Sequence, residues 1–181
     1  MPNQIFYPKI LVPFYPKDDI YIPSPRHAII EQNLATVGSG GTTLIDSTTN
    51  FLTGGVQIGD TVMNSNPADA ANYGNTTTVA AIVSATELTL TVDIGIATGR
   101  KYSVYANKPD VALIYLFFAI APGDTMRVVD SRGVQSQVLL TGYAPSNIVG
   151  QFPIQVSKVL ATGTTLTNGG ATSIPLFAGY N

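Results

Sequence analysis

The sequence predicts an all-β chain: two small antiparallel β-sandwich or barrel-like modules, residues 38–106 and 107–181, after an extended proline-rich N-terminal arm over 1–37 with room for one short helix. Three observations predict it. Apolar and polar residues alternate with a period of two over 87–92 and 101–105, the pattern of strands with one buried face. Short apolar runs are punctuated by turn residues, Gly59-Asp60, Pro122-Gly123-Asp124 and Asp130-Ser131-Arg132-Gly133. Six of the twelve prolines fall at positions 2, 8, 13, 16, 23 and 25. Each lacks a backbone N–H and fixes φ, so that stretch forms neither a long helix nor a central strand.

The arm is apolar as well as stiff. A disordered linker would be polar, whereas Phe6, Tyr7, Ile10, Leu11, Val12, Phe14, Tyr15, Ile20 and Tyr21 need a surface to cover. The expectation is that they lie along a neighbouring subunit, since a stiff extended segment loses little entropy on docking; the alternative is that the arm wraps its own domain. Ser24-Pro25 can open a short helix, with Ser24 as N-cap, although a strand is equally allowed. Gly38-Ser39-Gly40-Gly41 reads as a hinge between arm and first module. It is followed by Thr42-Thr43 and lacks the Gly-Lys-Ser/Thr ending of a phosphate loop.

In the first module, residues 42–45 read as a strand and 46–50 as a single helical turn that places Phe51 and Leu52 inward. Gly54-Gly55 allows a reversal at positive φ. Residues 61–63 enter the next strand, 64–75 form a polar loop, and 76–83 with 87–92 form a hairpin around 84–86. Residues 101–105 close the unit. In the second module, 111–121 is a continuous apolar run that reads as a buried strand, and Leu113, Tyr115 and Phe117 join the candidate interface residues. Residues 126–129 and 134–140 pair across the turn at 130–133, and 152–160 and 173–177 supply further strands.

These strings carry a resemblance. TTLIDSTTNFLTGGVQIGDTV, then TELTLTVDI and GRKYSVY, resemble a module of tailed-bacteriophage virion proteins over about 64 residues, built on Leu-Asp-Ser…Phe…Gly-Val-x-x-Gly-Asp-x-Val. GQFPIQVSKVLATGTTLT resembles the small β-domain of phage spike-base or decoration proteins. The C-terminal stretch NGGATSIPLFAGYN is longer and more glycine-rich than that pattern. The resemblance implies a virion structural protein, a capsid decoration or cement protein or a head spike base. Its implied partners are the major capsid protein, other virion subunits and further copies of itself, and its implied location is the virion, assembled in the host cytoplasm. A head–tail connector or tail adaptor is the alternative within that class, and a carbohydrate-binding β-module the alternative outside it, with Tyr73 and Tyr143 as the aromatics that would have to share a flat exposed face.

Composition agrees with life inside an assembly. Apolar residues make up 45% of the chain, enough for a core, but charged residues only 11%, and beyond Gly133 the only charged side chain is Lys158. A free enzyme relies on surface charge to stay dispersed; a Thr/Asn/Ser-rich secreted β-protein is the plainer alternative. The net charge of −2 and scattered basic residues, clustered only at Arg100-Lys101, argue against nucleic acid. There is no cysteine, hence no disulfide framework, thiol nucleophile or cysteine metal site. The N-terminus lacks the basic and apolar regions of a signal peptide, and the longest apolar run, about 11 residues, is too short to span a bilayer, so no membrane partner is expected.

No catalytic residues, cofactor or metal are expected. His27 is the only histidine and no nucleophile-elbow pattern accompanies it. The carboxylates are scattered, with Asp18-Asp19 the only adjacent pair, while glycosidases need two facing each other across a sugar. Asp60, Asn64, Asn66 and Asp69 offer oxygens for Ca²⁺, but their spacing fits no EF-hand loop; Asp next to a turn more often bonds local backbone.

Overall fold

The computed structural model describes residues 10–110, 112–116, 123–140, 150–166 and 176–180. Apart from one 3-10 turn, its regular secondary structure among the described residues is strand: β1 (Ile10–Phe14), β2 (Ala28–Leu34), β3 (Thr43–Ile45), β4 (Thr61–Asn64), β5 (Thr76–Ser84), β6 (Glu87–Leu90), β7 (Lys101–Tyr105), β8 (Ala112–Leu116), β9 (Thr125–Val129), β10 (Gln135–Leu139), β11 (Gly150–Val156), β12 (Lys158–Thr165) and β13 (Leu176–Tyr180). The all-β antiparallel class is as the sequence predicts.

The first sheet runs β2-β7-β4-β5-β6-β3. Its ends approach each other: the Thr36 N–H, just past β2, donates to the Ile45 carbonyl of β3 at 2.7 Å, and the Ile45 N–H donates to Ser39 Oγ at 2.8 Å. The sheet is thereby rolled toward a small barrel. Inside it lie Leu44, Phe51, Val62, Leu88 and Tyr102, with Phe51 and Tyr102 meeting edge to face at 6.5 Å between centroids. The second unit is two sheets, β1-β13-β8-β11 and β10-β9-β12. They enclose a core that includes Val12, Phe14, Ile114, Met126, Val128, Val156 and Leu176.

The two cores share a wall. All four residues of β4 are buried, because strand side chains alternate between faces. Val62 enters the first core and Met63 the second. β7 repeats this, with Tyr102 and Val104 in the first core and Tyr105 in the second. A strand buried on both faces has no solvent side, which is why Thr61-Val62-Met63-Asn64 shows no apolar/polar alternation.

Residues 10–37 divide differently from the expectation. β1 pairs with β13 from Ile10↔Tyr180 to Phe14↔Leu176, as an edge strand of the second unit, and an edge is where Pro13 is tolerated. β2 pairs with β7 as an edge of the first sheet. Residues 10–34 are therefore built into the chain's own two units and do not form a separate arm. Gly38–Gly41 lies inside the first unit as a turn, with Gly38 at φ 100° and an isolated bridge from Gly40 to Thr43. The short helix is a single 3-10 turn, Pro25–His27, capped by Ser24, whose side chain accepts from the Arg26 N–H.

Three further differences have local causes. Residues 46–50 form a turn without helix. It buries Phe51 but leaves Leu52 61% exposed, since a sharp reversal cannot turn two successive side chains inward. β6 stops at Leu90, and Val92 is exposed. The expected single strand over 152–160 breaks at Ser157, whose N–H donates to the Val129 carbonyl at 2.8 Å and whose hydroxyl donates to the Asp130 carbonyl at 3.0 Å. There the chain leaves β11 in one sheet and enters β12 in the other.

Candidate interaction surfaces

The stretch read as an interface is largely internal. Val12, Phe14, Tyr15 and Ile20 are buried in the chain's own fold. Leu11 stays 41% exposed, and Tyr21 is half-buried beneath Lys158, whose Nζ lies 4.1 Å from the ring centroid. Ile10, Leu113 and Tyr115 lie on paired strands, β1 and β8. Phe6, Tyr7 and Phe117 lie outside the described residues, as does Tyr143. The strap after β1 is tied down at several points. The Tyr21 N–H donates to Asn107 Oδ1 at 3.0 Å, the Ile22 N–H to the Ser157 carbonyl, and the Tyr180 hydroxyl to the Pro23 carbonyl at 2.9 Å. Asp18 accepts from the backbone N–H and hydroxyl of Thr162 at 3.0 and 2.6 Å. These bonds hold its carboxyl below the usual range, the hydroxyl's being the larger effect.

His27 sits in the 3-10 turn, and its carbonyl accepts from the Ala106 N–H. The neighbouring Ser24 hydroxyl donates to Asp110 and accepts from the Arg26 N–H. Arg26 reaches the same carboxylate at 3.5 Å. Ser24 and Asp110 thus pin the turn to the start of the second unit.

The polar loop 64–75 is knitted by amides. Asn64 is fully buried and donates to Asp69 and to the Ile94 carbonyl. Asn72 Nδ2 also donates to Asp69, at 3.2 and 3.3 Å to its two oxygens. The carboxylate offered for a cation therefore accepts from side-chain amides. Asp60, the other carboxylate of that set, accepts from the Gln57 N–H at 2.7 Å, a local turn bond. Among the described residues no group of three or more His, Cys, Asp or Glu is placed to hold a metal. Tyr73, from the same loop, lines a cleft of 290 Å³ where the two units meet, together with Val12 of β1, Gln32 of β2, Met63, Ser103 and Tyr105. Gln32 has φ 55°, the only non-glycine at positive φ among the described residues. It sits in a β2 bulge, with its N–H donating to Ser103 Oγ at 3.0 Å. Nothing in the sequence around Gln32 signals that conformation, which is imposed by the mismatch between β2 and β7.

The most polar buried point is Asp46, which is fully buried. It accepts from the Tyr102 hydroxyl at 2.6 Å, the Thr48 hydroxyl at 2.6 Å and N–H at 2.9 Å, and Asn33 Nδ2 at 3.2 Å. Burial pushes its carboxyl up, but the donors from Thr48 and Tyr102 together outweigh it, and the group lies below its ordinary value. Burial, then the bond to Asp46, push the Tyr102 phenol far up. Saturated in this way, the carboxylate serves as a bracket joining β2, the 46–50 turn and β7.

The surface that sequence reading missed is the outer edge of β10. All of β10 except Val138 is exposed. Its neighbour Val134 and its last residue Leu139 are exposed apolar side chains, with Leu139 58% accessible. Only its register against β9, absent from any local pattern, makes it an edge.

Comparison of the chain with protein-family models, curated proteins and solved structures finds no match.

Proposed function

We propose that this chain is a non-enzymatic structural component of a tailed-phage particle, a capsid decoration or cement protein or the base of a head spike. The observation that carries the reading is the character of its surface. Large apolar side chains stand in solvent at several separate places, Val37 at 84% and Ile58 at 68% exposed among them, on a chain with only 11% charged residues. Two closed cores leave these groups without internal use, and a surface poor in charge suits contact with other subunits, whose interface cores are depleted in charged residues. The resemblance of residues 42–105 and of the second module to virion proteins supports the same reading. The contacts are made by surface side chains and strand edges, because most of the candidate residues within 10–22 are spent on the chain's own core. Cementing requires many modest contacts multiplied by symmetry.

The test is purification of particles from a lysate of the phage that encodes this chain, followed by quantitative mass spectrometry and antibody labelling. The chain is expected in the particles at a copy number commensurate with capsid or vertex symmetry. Its presence in the infected cell but not in purified particles overturns the proposal.

A further inference from the structure

We propose that the outer edge of β10 is a two-fold seam at which two copies of this chain pair antiparallel, joining their three-stranded sheets into one. This deepens the reading of the chain as a self-associating subunit and rests on it.

Edge strands present unpaired N–H and C=O groups, and proteins guard them with prolines, bulges, charges or shortness. The other strands ending a sheet among the described residues all carry such a device. β1 has Pro13, β11 has Pro153 and a register shift, β2 is bulged and bears Glu31, β3 has three residues, and β12 is shifted in register and bears Lys158. β10 has none. Gln135-Ser136-Gln137-Val138-Leu139 pairs with β9 in unbroken register and contains no proline, glycine or charge.

The hydrogen-bond phase shows which groups face out. The Asp130 N–H donates to the Val134 carbonyl, and the Val129 carbonyl accepts from Ser157 on the β12 side. Val129 therefore turns its backbone away from its partner Gln135. Alternation then directs the backbone groups of Gln135, Gln137 and Leu139 to the free edge, and those of Ser136 and Val138 to β9. A two-fold axis through Gln137 brings Gln137 against Gln137 and Gln135 against Leu139 of the other copy, all with outward groups. The arrangement is self-complementary, as an isologous contact requires. Self-pairing of a strand also sets like beside like, which an uncharged strand tolerates. The two-fold match of outward backbone groups points to a second copy, and β10 sets no like charges of its own against each other there.

The chain has no cysteine, so single-cysteine variants of the full chain give a clean readout of register. In the proposed seam the two Gln137 Cα atoms are about 5.5 Å apart, within disulfide reach, and the two Gln135 Cα atoms about 14 Å apart. Under mild oxidation at high protein concentration, Gln137→Cys is expected to convert mainly to covalent dimer. Gln135→Cys and the exposed control Val83→Cys should remain near background. Without oxidant, Gln137→Pro is expected to weaken dimerisation in sedimentation equilibrium by at least about tenfold, with unchanged thermal unfolding. Equal cross-linking of all three variants, no dimer from Gln137→Cys, or a Gln137→Cys adduct with a different virion protein overturns the seam. Loss of the seam while the chain is still found in particles leaves the proposed function standing. A seam in solution with the chain absent from particles overturns only the function.

Discussion

Asp46 shows how one buried carboxylate is made tolerable. A lone ion in that position would be prohibitive, but the hydroxyls of Tyr102 and Thr48, the Thr48 N–H and the Asn33 amide supply four donors. Tyr102→Phe removes a bond to a charged group and is expected to cost about 1.5–3 kcal/mol in urea unfolding. A loss well under that range would mean that the bracket is not load-sharing in this way. The same network sets a pH dependence. The folded-state value of Asp46 is depressed below 3.8, so its contribution is fully present above the unfolded value and is lost as pH falls through the folded one. Stability measured between neutral pH and the acid limb is therefore expected to fall less steeply in Asp46→Asn than in the parent. Asp18 and Asp130, whose carboxyls are also depressed, keep part of the slope in both proteins. Identical slopes would remove Asp46 as a contributor.

At the scale of elements, the polar loop 64–75 is fixed by what it rests on. Gly95 has φ +74°, and a Cβ there would lie 2.5 Å from Cγ and Nδ2 of Asn72. Gly133, at the β9–β10 turn, has φ +83° but open space around it. Both Gly→Ala changes carry the backbone cost of the left-handed region, about 1–2 kcal/mol. Gly95→Ala must also displace Asn72 and loosen its bonds to Asp69. Thermal melts are expected to rank Gly95→Ala as the more damaging, with added proteolysis inside 64–75; the reverse order would show that Asn72 moves aside freely. The turn at Gly133 was visible in the sequence as the Asp130-Ser131-Arg132-Gly133 signal. The approach of Asn72 to Gly95 was not, because 23 positions of chain separate them.

For the whole molecule, the shared wall of β4 and β7 decides how the chain unfolds. Met63 and Tyr105 lie in the second core while Val62, Tyr102 and Val104 lie in the first. Losing either unit strips one face of both strands. Calorimetry is expected to give a single cooperative transition, with Met63→Ala lowering all of it by about 2–5 kcal/mol. Two resolved transitions, only one shifted by Met63→Ala, would show independent domains. Truncation through Phe14 removes β1 from its sheet and takes Val12 and Phe14 from the second core. It is expected to produce a poorly folded chain, read by circular dichroism and protease sensitivity, where a dispensable arm would leave a folded remainder.

Local patterning was enough to read the all-β class, the hairpin turns at 84–86 and 130–133, and the burial of Phe51, Leu88 and Leu90. Period-two alternation and turn chemistry act over a few residues, and a few residues suffice to display them. Tertiary structure alone decided where the proline-rich stretch goes. Prolines specify an extended backbone and apolar side chains require burial, but neither says whether the covering surface belongs to the same chain; the pairing of β1 with β13, about 165 residues away, answered that for residues 10–14. It also decided that the wall between units is common to both cores, and that β10 is an edge. Edges depend on which strands fail to meet, and no local run of residues records an absent neighbour.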